Sequence, residues 1–172
     1  MKTLLNILEK FINAVGSLCS VLMILMILNV FYDVVMRYFF NDVSIAMQEL
    51  EWHLYAAMFM FGIGYTLKED GHVRVDVIYD QLSKKSQAII NIAGSLLFAL
   101  PFTLLILHFS WDYALEAYTM AEGSADPGGL PHRWIIRSVI PVSSIYLLVC
   151  LLYVVLTQIK SLSTLAPEKG EK

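Results

Sequence analysis

From Ala14 to Tyr32 the chain runs nineteen residues without a charge. As a helix rising 1.5 Å per residue, that run covers roughly 30 Å, the thickness of a bilayer's hydrocarbon core. Further apolar stretches follow over 50–67, 88–110 and 135–158, parted by polar turns. Within lipid every backbone N–H and C=O must be satisfied inside the segment, so runs of this length predict helices. The expected fold class is an all-α integral membrane protein: one membrane domain over 1–172, with four transmembrane helices (about 14–36, 50–67, 88–110 and 135–158) and short interfacial helices. Composition agrees, with 16% charged residues against about a quarter in soluble domains. A net charge of −3 offers no basic surface for nucleic acid. A cleaved signal peptide is the rival reading of the first run. It is long for an h-region and no convincing A-x-A site follows, so a retained span is expected.

The polar elbow over 68–86 orients the spans. Six of the nine residues 68–76 carry a charge or an imidazole: Lys68, Glu69, Asp70, His72, Arg74 and Asp76. Asp70-Gly71 predicts a tight turn with glycine taking the positive φ, and Val73, Val75 and Val77 alternate as in a short extended segment. Residues 78–86 read as an interfacial turn or short helix, and residues 1–13 as an interfacial lead-in helix or the first turns of the first span. With the elbow inside, the inner segments hold nine of the twelve basic residues and the outer ones only Arg37, Arg133 and Arg137. That bias predicts an N-in, C-in topology, with Trp52, Trp111 and Trp134 as an aromatic belt at the outer interface.

The centres of the spans hold no Asp, Glu, Lys, Arg or His, where a proton-coupled carrier would need an ionisable group. No GxxxxGK[ST], HExxH, paired CxxC or GxSxG occurs, so neither an ATP-driven motor nor a hydrolase is encoded. No cofactor, metal or catalytic residue is expected. Cys19 and Cys150 read as apolar thiols. His72 with Asp70 and Asp76 reads as a solvated turn. Two alternatives remain open: a small homodimeric transporter, and a haem-binding four-helix redox bundle using His53 and His108, which both fall near the outer face. At the end of the first span Asn29, Asp33 and Arg37 recur every four residues and share one helix face, with an Asp33–Arg37 pair expected. Ser44 is a plausible N-cap for the second helix, and Glu49 sits in its early turns, where the dipole favours a carboxylate. Gly62 and Gly64 offer small surfaces for close helix approach. Pro101 predicts a kink in the third span. The outer loop is expected over 111–134.

Gly71-His72-Val73-Arg74-Val75-Asp76 resembles the GHVRVD-like motif of the DctQ-type small membrane subunits of TRAP (tripartite ATP-independent periplasmic) transporters. Arg37-Tyr38-Phe39 followed by Glu49 is similar to that family's junction between first and second spans. Gly129-Leu130-Pro131-His132-Arg133-Trp134, then Ile140-Pro141, resembles its loop before the last span. One departure is Ala46-Met47 before Gln48-Glu49, where the family often has Trp; Trp52 comes after instead. The resemblance covers essentially the whole chain. It implies a non-catalytic, multi-pass subunit of the bacterial inner membrane, stably bound to a large elevator-type membrane subunit and transiently to a periplasmic substrate-binding protein. It also implies sodium-coupled uptake (symport) of an organic anion, a carboxylate such as sialic acid. On this reading Asn29, Asp33, Arg37, Glu49, Gly62, Gly64, His72, Arg74 and Asp76 are expected at the large-subunit interface. Glu116, Glu122, Asp126, Arg133 and Trp134 are expected where the binding protein docks.

Overall fold

Long apolar runs with few interruptions become long helices, and the computed structural model, which describes residues 2–72 and 76–165, is helical with no strand among them. Helix α1 spans Lys2–Phe39, α2 Ile45–Lys68, α3 Asp76–Tyr79 and α4 Lys84–Gly94. A π-helical segment, Ser95–Ala99, leads directly into α5 (Leu100–Thr119), and α6 spans Trp134–Leu165. Among the described residues three helices are long and apolar enough to cross a membrane: Lys2–Phe39, the continuous Lys84–Thr119, and Trp134–Thr164. Helix α2 is 24 residues long and more polar, with Gln48, Glu49, Glu51 and His53 in its first turns. The amphipathic N-terminus is the first part of α1 rather than a separate lead-in helix. The Val73–Val75 alternation lies outside the described residues.

Proline chemistry explains the break in the third apolar run. Pro101 has no N–H to give, and its ring would press on the carbonyl of Leu97 one turn earlier. The helix widens to π geometry just before it, and Leu100 N–H reaches back to Ser95 O. The disturbance expected at Pro101 takes the form of a π-bulge inside one continuous helix. The turn after α2 departs from expectation in a different way. Asp70, not Gly71, takes the left-handed conformation, with φ 59°. Gly71 N–H closes the helix on Thr66 O at 2.9 Å and Asp70 N–H on Leu67 O at 3.4 Å, a Schellman ending. Asp tolerates this region because its short side chain bonds locally. At the other end of α2, Ser44 caps as expected, its hydroxyl accepting from Met47 N–H.

Helix α6 is the central element: α1, α2, α4 and α5 all pack on it, while α2 makes no comparable contact with α4 or α5. Its core is Tyr146 and Cys150 against Ile12 of α1, with Phe61 and Tyr65 of α2 around them. The Tyr146 ring meets Phe11 edge-on at 6.0 Å and Phe61 at 5.9 Å. Small residues let α5 approach closely, since Ala114, Ala117 and Ser110 are buried on its inner face. The rest of the surface is apolar and exposed, with Phe31, Phe98, Phe102 and Phe109 each about two-thirds exposed or more. Side chains like these suit a hydrocarbon solvent, and polar networks gather at the helix ends, the one at the loop end of α2 and α6 spanning the longest stretch of sequence.

Candidate functional site: a carboxylate-fastened loop and two interhelical clefts

The loop between α5 and α6 is folded onto the first turns of α2. It leaves α5 by a Schellman ending in which Ala121 takes φ 47°, and Glu122 N–H reaches Ala117 O at 3.0 Å. It then closes on itself: Ser124 N–H to Leu130 O at 3.0 Å, Gly129 N–H to Asp126 O at 3.0 Å, and Arg133 N–H to Glu122 O at 2.8 Å. Gly128, at φ 82°, takes a conformation that other residues pay to adopt. Gly129 serves a different need. A Cβ there would come within 2.8 Å of the Glu49 carboxylate and collide with Ser124.

Glu49 is the fastening. Its carboxylate accepts the Ser124 hydroxyl and, at 2.6 Å, the Leu130 N–H, across seventy-five and eighty-one residues of chain. Its side chain is buried, 8% exposed. The Ser124 hydroxyl above all, then the Leu130 amide, Arg133 and His53, hold its carboxyl below the usual range. Within α2, His53 Nδ1 bonds to the Glu49 carbonyl at 2.5 Å. Glu122 is tied down as well, to Arg137 at 2.5 Å. The Arg137 guanidinium lies 4.1 Å from the Tyr113 ring centroid. Trp134 stands edge-on to Tyr118 at 5.5 Å. Asp126 and Glu116 are exposed.

The residues expected at a partner interface separate into two groups. Asn29 donates to Met47 O at 2.9 Å, and Asp33, 5% exposed, is paired with Arg37, so this face of α1 looks toward α2. Glu49 holds the chain's own loop. Gly64 is likewise internal: a Cβ there would sit 2.9 Å from Cys150 Sγ and closer still to the Tyr146 ring. Gly62 is different, since nothing lies within 4 Å of where its Cβ would be. With Gly16, Ser20, Met23 and His72 it lines an open cleft of about 500 Å³ between α1 and α2. Arg74 and the Asp76 side chain lie outside the described residues. His53 and His108 are not brought together; His108 lines a separate cleft with Trp111, Asp112 and Ile145. A second cleft, about 460 Å³, opens between α2, α5 and α6 beside the loop, with Trp52, Arg133 and Arg137 on its walls.

Residues 26–161 match the family model described as tripartite ATP-independent periplasmic transporters, DctQ component. The match runs from the second half of α1 through almost all of α6. The chain belongs to the DctQ family. It is also 31% identical over 140 residues, 80% of its length and 86% of the relative's, to a TRAP transporter small permease protein of Haemophilus influenzae. Membership gives the chain a place as the small permease component of a TRAP transporter, a family whose members associate with a large membrane subunit and a binding protein. The fastened loop contains the Gly129–Trp134 motif, and Glu49 is the acidic residue that opens the second helix. Two segments that resemble the DctQ pattern separately are therefore one structure in space. Ser124 carried no signal in the sequence, and the Gly128-Gly129 pair was the available hint that backbone and side chain meet closely there.

Proposed function

We propose that this chain is the fixed, non-catalytic scaffold of a sodium-coupled TRAP transporter for an organic anion, a carboxylate such as sialic acid, in a bacterial inner membrane. On this reading α2 makes the fourth crossing, inserted beside α6 with its polar first turns at the outer interface, and both termini lie inside. The observation that carries the reading is the pairing of DctQ membership with spans that hold no Asp, Glu, Lys, Arg or His at their centres. An elevator needs a part that stays still, and a bundle packed on one central helix without midplane chemistry can enlarge it. Purified from its native membrane, the chain should bring the large subunit with it, and liposomes containing this chain alone should take up no anion. Uptake by the lone chain would revive the homodimeric carrier instead.

The Gly62 cleft is the proposed seat for a helix of the large subunit, with His72 at its inner end. Gly62→Leu fills open space rather than the core, so it should leave the melting temperature nearly unchanged, within about 0.5 kcal/mol of stability. It should nonetheless reduce co-purification of the large subunit severalfold. Normal recovery would move the seat elsewhere. Glu116, in the last turns of α5, and Asp126, on the loop that Glu49 fastens, are the proposed acidic contacts for the binding protein. Asp126→Lys should lower uptake severalfold in a reconstituted complete transporter while the two membrane subunits still co-purify. Unaltered uptake would remove Asp126 from the contact.

A further inference from the structure

Arg133 begins α6's end of the loop and is half-buried, yet its guanidinium makes no hydrogen bond or ion pair among the described residues. The Trp52 ring lies 6.0 Å from it, centroid to guanidinium, and the Glu49 carboxylate is within electrostatic reach though not hydrogen-bonded to it. The charges around it are already engaged. Glu49 accepts from Ser124 and Leu130, and Glu122 is paired with Arg137. One guanidinium, with five donors and no acceptor, is therefore left at the mouth of the 460 Å³ cleft between α2, α5 and α6. One turn further along α6, Arg137 also lines the cleft, but it is already paired with Glu122 and lies over Tyr113. The remaining walls are apolar, with Ala56, Phe59 and Met60 on one side and Ile136, Val139 and Ile140 on the other.

Dimensions narrow the choice of occupant. From Trp52 to Met60 the wall descends eight residues, about 12 Å at 1.5 Å per residue. One leaflet's hydrocarbon is roughly 15 Å thick. An acyl chain can follow that apolar depth, and a cation at its mouth suits the head group of the same molecule. A free carboxylate or phosphate would use the guanidinium and leave the apolar depth unfilled. We propose that the cleft binds one membrane phospholipid, its phosphate on Arg133 against Trp52 and an acyl chain lying along Phe59 and Ile140. The planar guanidinium matches two phosphate oxygens at once, which favours it over a bare ammonium for this role. The bound lipid would close the gap between α2 and α5, which do not otherwise pack on each other.

The test is native mass spectrometry of the full chain extracted together with its partner subunit, delipidated and titrated with phosphatidylglycerol or with diacylglycerol of the same acyl chains. Expected is one phosphatidylglycerol per complex, and binding at least about tenfold weaker for diacylglycerol. Arg133→Gln should erase that preference for the phosphate-bearing lipid. Ala56→Trp, which fills the depth and leaves Arg133 in place, should abolish retention of either lipid, so the result does not depend on one variant folding. Unchanged phosphatidylglycerol binding in both variants would overturn the proposal. Displacement of the lipid by millimolar inorganic phosphate would also overturn it, in favour of a free-anion site. So would a photocrosslinker at Ala56 that captures a polypeptide of the complex instead of lipid.

Discussion

Gly64→Leu should cost at least about 3 kcal/mol of stability and separate α2 from the central helix. The reason is local. At Gly64 a Cβ alone would already lie 2.9 Å from Cys150 Sγ and closer to Tyr146. Neither neighbour can step aside easily. Cys150 is fully buried, and the Tyr146 ring, 4% exposed, is held between Phe11 and Phe61. Leucine adds three further carbons to a contact that has no room for the first. Gly64→Ala should be intermediate, because a small shift of Tyr146 can relieve one methyl group. The measurement is the thermal midpoint of this chain purified without the large subunit, followed by helical circular dichroism and by loss of monodisperse elution. Gly62→Leu, two residues away, is the control that should melt like the natural chain. A normal midpoint for Gly64→Leu would mean that α2 does not rest on α6 at this point, and the core around Tyr146 would have to be redrawn.

The contrast between those two glycines shows what a sequence of this kind reveals. Helix identity was legible, because hydropathy and run length act through the solvent and need no partner. The Ser44 cap was legible for the same reason, since capping is settled within four residues. Which way each face points was not. Gly62 and Gly64 read together as one small-residue patch, yet residues two apart on a helix lie about 200° from each other. One meets α6 and the other an open cleft. Asn29, Asp33 and Arg37 were correctly placed on one face, but their spacing could not say that the face looks toward α2, where Met47 O accepts from Asn29. Pro101 announced a disturbance without its form. The π-bulge over Ser95–Ala99 lies before the proline, where no residue of the run marks it. The link from Glu49 to Ser124 spans seventy-five residues, and no local pattern encodes a contact so distant.

That long-range link carries the second large effect. Removing the Glu49 charge should release the loop over 121–133 while the helices stay assembled. Glutamine keeps the shape, and its one oxygen can accept from Leu130 N–H while its NH₂ donates to Ser124 Oγ, which can turn to accept. What is lost is the charge, which makes such bonds roughly twice as strong as neutral ones. Hydrogen exchange of the Leu130 amide is the direct readout, and its protection should fall sharply in Glu49→Gln while amides of α5 and α6 keep theirs. The pH dependence has a definite sign. Glu49 titrates below its usual range in the folded chain, with the Ser124 hydroxyl as the largest cause. Its contribution is therefore complete above the unfolded value, about pH 4.3. It declines as pH falls from there through the lowered folded value. From neutral pH down to about 4.5 the loop should hold unchanged, and loosen only in stronger acid. The quantity to compare is the difference between the natural chain and Glu49→Gln, which removes every other acid effect common to both. That difference should be constant above about pH 4.5 and shrink toward zero below it. A loop equally protected in both proteins at neutral pH would mean that its own internal bonds hold it. Glu49 would then be free for the partner interface that its position at the head of the second helix first suggests.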